Sequence, residues 1–145
     1  MAHLGLGAVY AIRNQWQNAL DESEIILKIQ PNCTDGLECL GVALFEVGQI
    51  EKSIKVLERE ISIDSEKIDA HYHLGIAYRE TKMYKKALEE FMYVLNHDAN
   101  YSYVYVSLAV LWEQLGENDK ALRILQVSSN MGHEHAKEML KIIGS

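Results

Sequence analysis

Apolar residues recur along this chain at the spacing of a helix face, and the whole pattern restarts every 34 residues. Gly7, Gly41 and Gly75 share one register, and Ala109 falls at the next step. The residue before each is Leu6, Leu40, Leu74 and Leu108, and three positions after each stands a large side chain, Tyr10, Leu44, Tyr78 and Trp112. Further on lie the small residues Ala19, Ser53, Ala87 and Ala121, each followed by an aliphatic one, Leu20, Ile54, Leu88 and Leu122. Between the two groups runs a turn-prone column of Asn14, Gly48, Lys82 and Gly116. Chance does not produce so many columns in one register.

Within each unit the stripe Leu74, Ala77, Tyr78, or Ile54, Leu57, Ile61, repeats at i, i+3 and i+4 or i+7, which predicts amphipathic helices. The turn-prone column divides each unit into two. The expected helix pairs are 2–14 with 17–30, 34–47 with 50–63, 68–81 with 84–97, and 102–115 with 118–131. A glycine in mid-helix costs about 1 kcal/mol against alanine. Close approach of the paired helix offsets that cost, and the Ala19/Ser53/Ala87/Ala121 column is the expected contact.

Residues 134–143 read as one further helix, with Ala136, Met139, Leu140 and Ile143 on one side and Glu134, Lys137, Glu138 and Lys141 on the other. Gly132 ends the helix before it. A repeat array needs a terminal element with a polar outer face, and this helix fits that duty. The first helix differs. Leu4, Leu6, Ala8, Val9, Tyr10, Ala11 and Ile12 make it apolar nearly all round, so this end is expected to meet upstream repeats or a second copy of the chain.

Composition narrows the function class. The chain has 145 residues, 14 Lys and Arg against 21 Asp and Glu, and a formal charge of −7. That balance disfavours nucleic acid and anionic membranes, which need clustered cations. The uncharged run from Met1 to Ile12 is too short to span a bilayer, so no membrane insertion is expected. Cys33 and Cys39 cannot make a disulfide framework and read as reduced cytoplasmic thiols. His71 and His73, and His133 and His135, are two apart, which on a helix turns them away from each other and argues against a shared metal. Lys82, Lys85 and Lys86 cluster at a turn and read as a solvated surface. No phosphate-binding loop and no nucleophile signature is present, so no enzyme activity, cofactor or metal is expected.

The third unit, His71, Leu74, Gly75, Tyr78, Ala87 and Phe91, resembles the tetratricopeptide repeat, a 34-residue helix–turn–helix with the pattern W-x2-L-G-x2-Y…A-x3-F…P. Ala99 stands where proline is usual, and Pro31 holds that place in the first unit. The second unit matches at Leu37, Leu40, Gly41, Leu44, Ser53 and Leu57, and the fourth, more degenerate, at Tyr105, Leu108, Ala109, Trp112, Ala121 and Leu125. The resemblance implies an all-α, right-handed superhelix of antiparallel helix pairs, an α-solenoid. Four units, about 1–33, 34–67, 68–101 and 102–133, precede a capping helix at about 134–143, all in one domain.

In this family the first helix of each pair lines a concave groove where partner peptides or helices lie. By resemblance the groove residues are Leu4, Ala8, Ala11 and Ile12; Asp35, Glu38, Val42 and Phe45; Asp69, Tyr72, Ile76 and Arg79; and Tyr103, Val106, Val110 and Glu113. One subfamily clamps the acidic C-termini of heat-shock chaperones with Lys, Asn and Arg. In one alignment those places hold Leu4, Ala8, Cys39, Asp69 and His73, and in the other Glu38, Val42, His73, Tyr103 and Ser107. Neither supplies the cations, so that activity is not expected. The resemblance implies a non-catalytic scaffold or adaptor binding a protein or peptide segment in the groove. The alternative is a holding chaperone that shields one amphipathic client. The apolar floor also has a second reading, burial within a tightly curved array.

Overall fold

The computed structural model describes the backbone of residues 2–143 and the side chains of 15–142. Its elements are α1 (Ala2–Ile29), α2 (Thr34–Glu46), α3 (Ile50–Ile63), α4 (Ile68–Glu80), α5 (Tyr84–His97), α6 (Ser102–Gln114), α7 (Asn118–Asn130) and α8 (Glu134–Ile143). From α2 onward the helix limits agree with the sequence reading to within a residue.

The turns that follow α2, α4, α6 and α7 share one chemistry. Gly48, Gly116 and Gly132 sit at φ +92°, +80° and +91°, and Lys82 takes the same place at φ +63°. The residue after each then donates its N–H to a carbonyl five positions back: Gln49 to Leu44 at 2.8 Å, Met83 to Tyr78 at 2.8 Å, Glu117 to Trp112 at 2.7 Å and His133 to Ser128 at 3.2 Å. This is the left-handed C-terminal cap of a helix, which satisfies carbonyls that would otherwise be orphaned. Glycine adopts it without steric cost, whereas Lys82 bears the Cβ penalty.

The expected break at Asn14 is absent, and α1 runs unbroken from Ala2 to Ile29. Asn14 lies in the column of Gly48, Lys82 and Gly116, yet neither glycine nor proline is near it, and Arg13, Gln15 and Gln17 favour helix. The array therefore consists of one long helix, the hairpins α2/α3, α4/α5 and α6/α7, and α8. The C-terminal half of α1 packs as the second helix of a pair. Leu20 is buried with Ala43 and Leu44, while Ile25, Ile26 and Ile29 remain exposed.

The main core, from Leu57 through Leu74, Tyr78, Phe91, Val104, Tyr105, Leu108 and Leu111, binds α3 to α6, and Ala136 of α8 joins Ala109, Ala121 and Leu125 in a second cluster. The glycine column packs differently from expectation. Ser53 Oγ does donate to the Gly41 carbonyl at 2.6 Å, so the two small columns meet. The space left by the missing Cβ is filled instead by the large residue one turn later. A Cβ on Gly41 would stand 2.7 Å from Leu57 Cγ and Cδ2, and one on Gly75 2.6 Å from Phe91 Cε1.

Neighbouring units are tied at one repeated place. Lys67 Nζ reaches Asp35 Oδ1 at 2.9 Å, and Tyr101 donates to Asp69 Oδ1 at 2.8 Å, both 32 residues apart. The loop carbonyls one repeat apart are satisfied in turn: Pro31 by Arg59 at 2.8 Å, Ser65 by His71 Nε2 at 2.8 Å and Tyr93 at 2.9 Å, and Ala99 by Tyr105 at 2.5 Å.

Candidate functional site

Contacts between alternate helices define the curvature. Among the described residues α2 touches α4, α4 touches α6 and α6 touches α8, whereas α3, α5 and α7 touch only their sequence neighbours. The helices on the inside of a curved array stand closest, so α2, α4, α6 and α8 line the concave side.

Two clefts open along that side and share one wall. The first, of about 160 Å³, lies between α2 and α4, where Val42, Phe45, Tyr72 and Ile76 converge with His73 over a floor of Gly41, Ser53 and Leu57. The second, of about 290 Å³, lies between α4, α6 and α8 and brings Tyr72, Tyr103 and Val106 together with Ser107, His135, Glu138, Met139 and Ile142. Tyr72 is the partition. Its ring is tilted against Phe91 at 6.1 Å and Tyr101 at 5.0 Å, and its hydroxyl oxygen receives Ser107 Oγ at 3.4 Å. Packed on three sides, Tyr72 presents a fixed aromatic edge. Tyr103, 59% exposed, forms the outer lip.

The other groove residues expected from sequence lie apart from the clefts. Arg79 is half-buried and turns to Glu80 at 3.9 Å, and Val110 is half-buried and lines neither cleft. The side chains of Leu4 and Ala8, with Val9 and Ile12 of the apolar head, lie outside the described residues. Glu38 stands at the α2–α4 end. Burial and then the Asp69 carboxylate push its carboxyl above the usual range, with Lys67 opposing. His73 is pushed down by burial, against the pull of Asp69, so it enters the first cleft as a neutral ring. Cys33 and Cys39 are free thiols, and the Cys39 thiol is pushed up by partial burial and by Glu38.

The sequence reading missed the contribution of α8 and of Glu60. His135, Glu138 and Ile142 fall on the sides of α8 away from the Ala136 stripe, where a cap was expected to be merely solvated. Glu60 is fully buried, and burial followed by the neighbouring Glu38 carboxyl pushes it up to about 8. One signal for Glu60 was present. It occupies the column of Ile26, Val94 and Ser128, of which Val94 and Ser128 are fully buried.

The histidines have packing roles. His71 engages Glu90 and the Ser65 carbonyl and stacks on Tyr93 at 3.8 Å, and His133 meets Ser128 Oγ at 2.7 Å. Among the described residues no group of three or more His, Cys, Asp or Glu is placed to hold a metal ion, and no helix is long and apolar enough to cross a membrane. At the lysine-rich turn, Lys86 Nζ lies 5.6 Å from the centre of the Tyr78 ring.

Known proteins share this organisation. A TPR repeat family model matches residues 41–82, and a tetratricopeptide repeat model matches 69–100. The TPR repeat-containing protein PA4667 of Pseudomonas aeruginosa is 27% identical over 128 residues, covering 86% of this chain. The chain spans 21% of that relative's length. Among solved structures, YrrB superposes with a TM-score of 0.75 at 23% identity, over 94% of this chain and 73% of that one. MamA from Desulfovibrio magneticus RS-1 superposes with a TM-score of 0.78 at 19% identity, over 90% and 73%. At such identities the likeness is one of fold. The 34-residue register, the helix hairpins and the repeat matches agree: residues 41–100 are tetratricopeptide repeats, in a chain whose fold is that of tetratricopeptide-repeat proteins.

Proposed function

We propose that this chain is a non-catalytic interaction module whose concave groove holds an apolar or amphipathic segment of another protein. The observation that carries this reading is the pair of clefts separated by Tyr72 and lined by Val42, Phe45, Ile76, Tyr103, Val106 and Met139. Aromatic anchors in well-packed hollows dominate interface energies, and two hollows in line select a partner with two apolar side chains in register. The fold supports the reading, since YrrB is described as a TPR protein with an unusual peptide-binding site. The two free thiols, Cys33 and Cys39, support a cytoplasmic setting.

The test uses a displayed library of randomised 12-residue peptides. The wild-type chain should enrich sequences with two spaced apolar residues. Phe45→Ala empties the first cleft and Tyr103→Ala opens the second, and the double variant should lose that enrichment while its circular dichroism and melting temperature stay close to wild type. Equal enrichment by the double variant would place binding outside the groove.

A further inference from the structure

Most buried polar side chains of this array have a partner. Ser23 donates to the Ala19 carbonyl, Ser53 to the Gly41 carbonyl and Ser107 to Tyr72, while His71 and Ser128 are engaged as described. The exceptions among the described residues are two carboxyls in one place: both oxygens of Glu60 and Oε1 of Glu38 are buried without a hydrogen-bond partner. Buried polar atoms are almost always satisfied in folded proteins, so an unsatisfied pair marks a position completed by something else. The groups around Glu60 are Glu38 and Asp35 of α2, Asp64 and Lys67 of the following loop; Asp69 of α4 acts on Glu38. Lys67 is the one cation in that set, and it is committed to Asp35 at 2.9 Å. Asp69 already accepts from Tyr101. Two carboxylates therefore act on Glu38, and the one cation that acts on it is already held by Asp35.

We propose that the junction of α2, α3 and α4 accepts a lysine or arginine side chain of the groove's partner, seated on Glu38 between Asp35 and Asp69 and backed by Glu60. The inference rests on the groove reading above and adds the chemistry of the partner. Charge complementarity calls for a cation. The absence among the described residues of a three-ligand metal group points away from an inorganic ion. Glu38, Val42 and Phe45 follow one another along the face of α2, so the occupant needs an apolar stem beside a charged head, which is the build of Lys and Arg. Seven residues of helix separate Glu38 from Phe45, about 10 Å. An extended partner covers that distance in about three residues. The expected motif is a Lys or Arg three positions from an apolar anchor. Seating the cation draws Glu60 into its charged form, so binding releases a proton.

The same peptide library provides the test. Wild-type selection should enrich Lys or Arg at one fixed spacing from an apolar residue, and Glu38→Gln should keep the apolar preference while losing the cation. A selected peptide with its Lys or Arg replaced by Gln should bind at least tenfold more weakly to wild type and equally to Glu38→Gln. Calorimetry in buffers of different ionisation enthalpy should show proton release at pH 7 with wild type and none with Glu60→Gln. An apolar pool without cation preference, or a preference unchanged in Glu38→Gln, overturns this inference and leaves the groove reading standing. No enrichment beyond that of the Phe45→Ala/Tyr103→Ala variant overturns both.

Discussion

Gly75→Ala adds a single methyl group where the structure leaves least room for one. The new carbon would stand 2.6 Å from Phe91 Cε1, 2.8 Å from Cδ1 and 3.2 Å from Cζ. Carbon atoms rest at about 3.5–4.0 Å, so the ring has to retreat by about 1 Å. It has nowhere to go, because Phe91 is fully exposed to neighbours and not to solvent, held among Leu57, Leu74, Tyr78, Ala87, Val94 and Val104. Forcing a methylene into such a core costs about 1–3 kcal/mol, and a rigid ring belongs at the upper end. Alanine returns about 1 kcal/mol of helix propensity. The net loss is then about 2 kcal/mol, which for a chain near this size lowers the melting temperature by about 4–8 °C. Thermal and urea melts followed by circular dichroism measure it. Phe91→Leu should cost less in the Gly75→Ala background than alone, with a coupling of about 1 kcal/mol or more. A variant that melts higher than wild type by the propensity gain, or an additive cycle, would refute the packing argument.

Gly41→Ala should act in the same direction through Leu57, with a smaller loss because an aliphatic side chain repacks more readily than a ring. Lys82→Gly should raise the melting temperature by about 2–4 °C, since the residue holds φ +63° and glycine removes a penalty of about 1 kcal/mol. Glu60 makes stability depend on pH. Its folded value of about 8 lies above the ordinary 4.5, so the folded state keeps a proton that the unfolded chain loses. The stability conferred by the neutral acid is complete below pH 4.5 and is lost as pH rises toward 8. At pH 7 the loss is at most about 3 kcal/mol. Glu60→Gln should flatten that decline in urea melts taken from pH 5 to 8, and parallel curves for the two proteins would remove Glu60 as its cause.

Much of this architecture was legible because it repeats. Gly48, Gly116 and Gly132 announce left-handed caps, and the columns around Gly41 and Gly75 fix the facing of each helix, so Val42, Phe45, Tyr72, Ile76, Tyr103 and Val106 fall on one side by arithmetic. Legibility failed where one residue departs from its column. Asn14 stands in a turn position without a turn, although asparagine tolerates φ above zero better than the Lys82 that does turn, because Arg13, Gln15 and Gln17 around it favour continuing the helix. The partner of the glycines was misassigned for a related reason. Side chains on a helix lean toward its N-terminus, so the residue that fills a gap lies a turn beyond the position directly opposite. Glu60 shares a column with the buried Val94 and Ser128, but a glutamate reads as solvated until the neighbouring helices are seen to cover it.

The ties between units bear on how the groove works as one surface. Asp35 with Lys67 and Asp69 with Tyr101 occupy equivalent places one repeat apart, and Tyr103 with His135, ring centres 6.1 Å apart, continues the series onto α8. Each tie joins the start of one concave-side helix to the residue just before, or just inside, the next, so the spacing of α2, α4, α6 and α8 is set by contacts along the rim of the groove itself. The chemistry of the series changes along it, from an ion pair, through a phenol on a carboxylate, to a ring contact. The groove accordingly runs from an acidic end at Glu38 and Asp69 to an aromatic and aliphatic end at Tyr103, Val106 and Met139. For a segment held as proposed, a surface with that gradient would distinguish the two directions, because reversal places an apolar residue against the Glu38 and Asp69 carboxyls and a cation against Tyr103 and Met139. Under the groove reading proposed above, either mismatch carries a desolvation cost, and the orientation of a bound segment would be selected along with its composition.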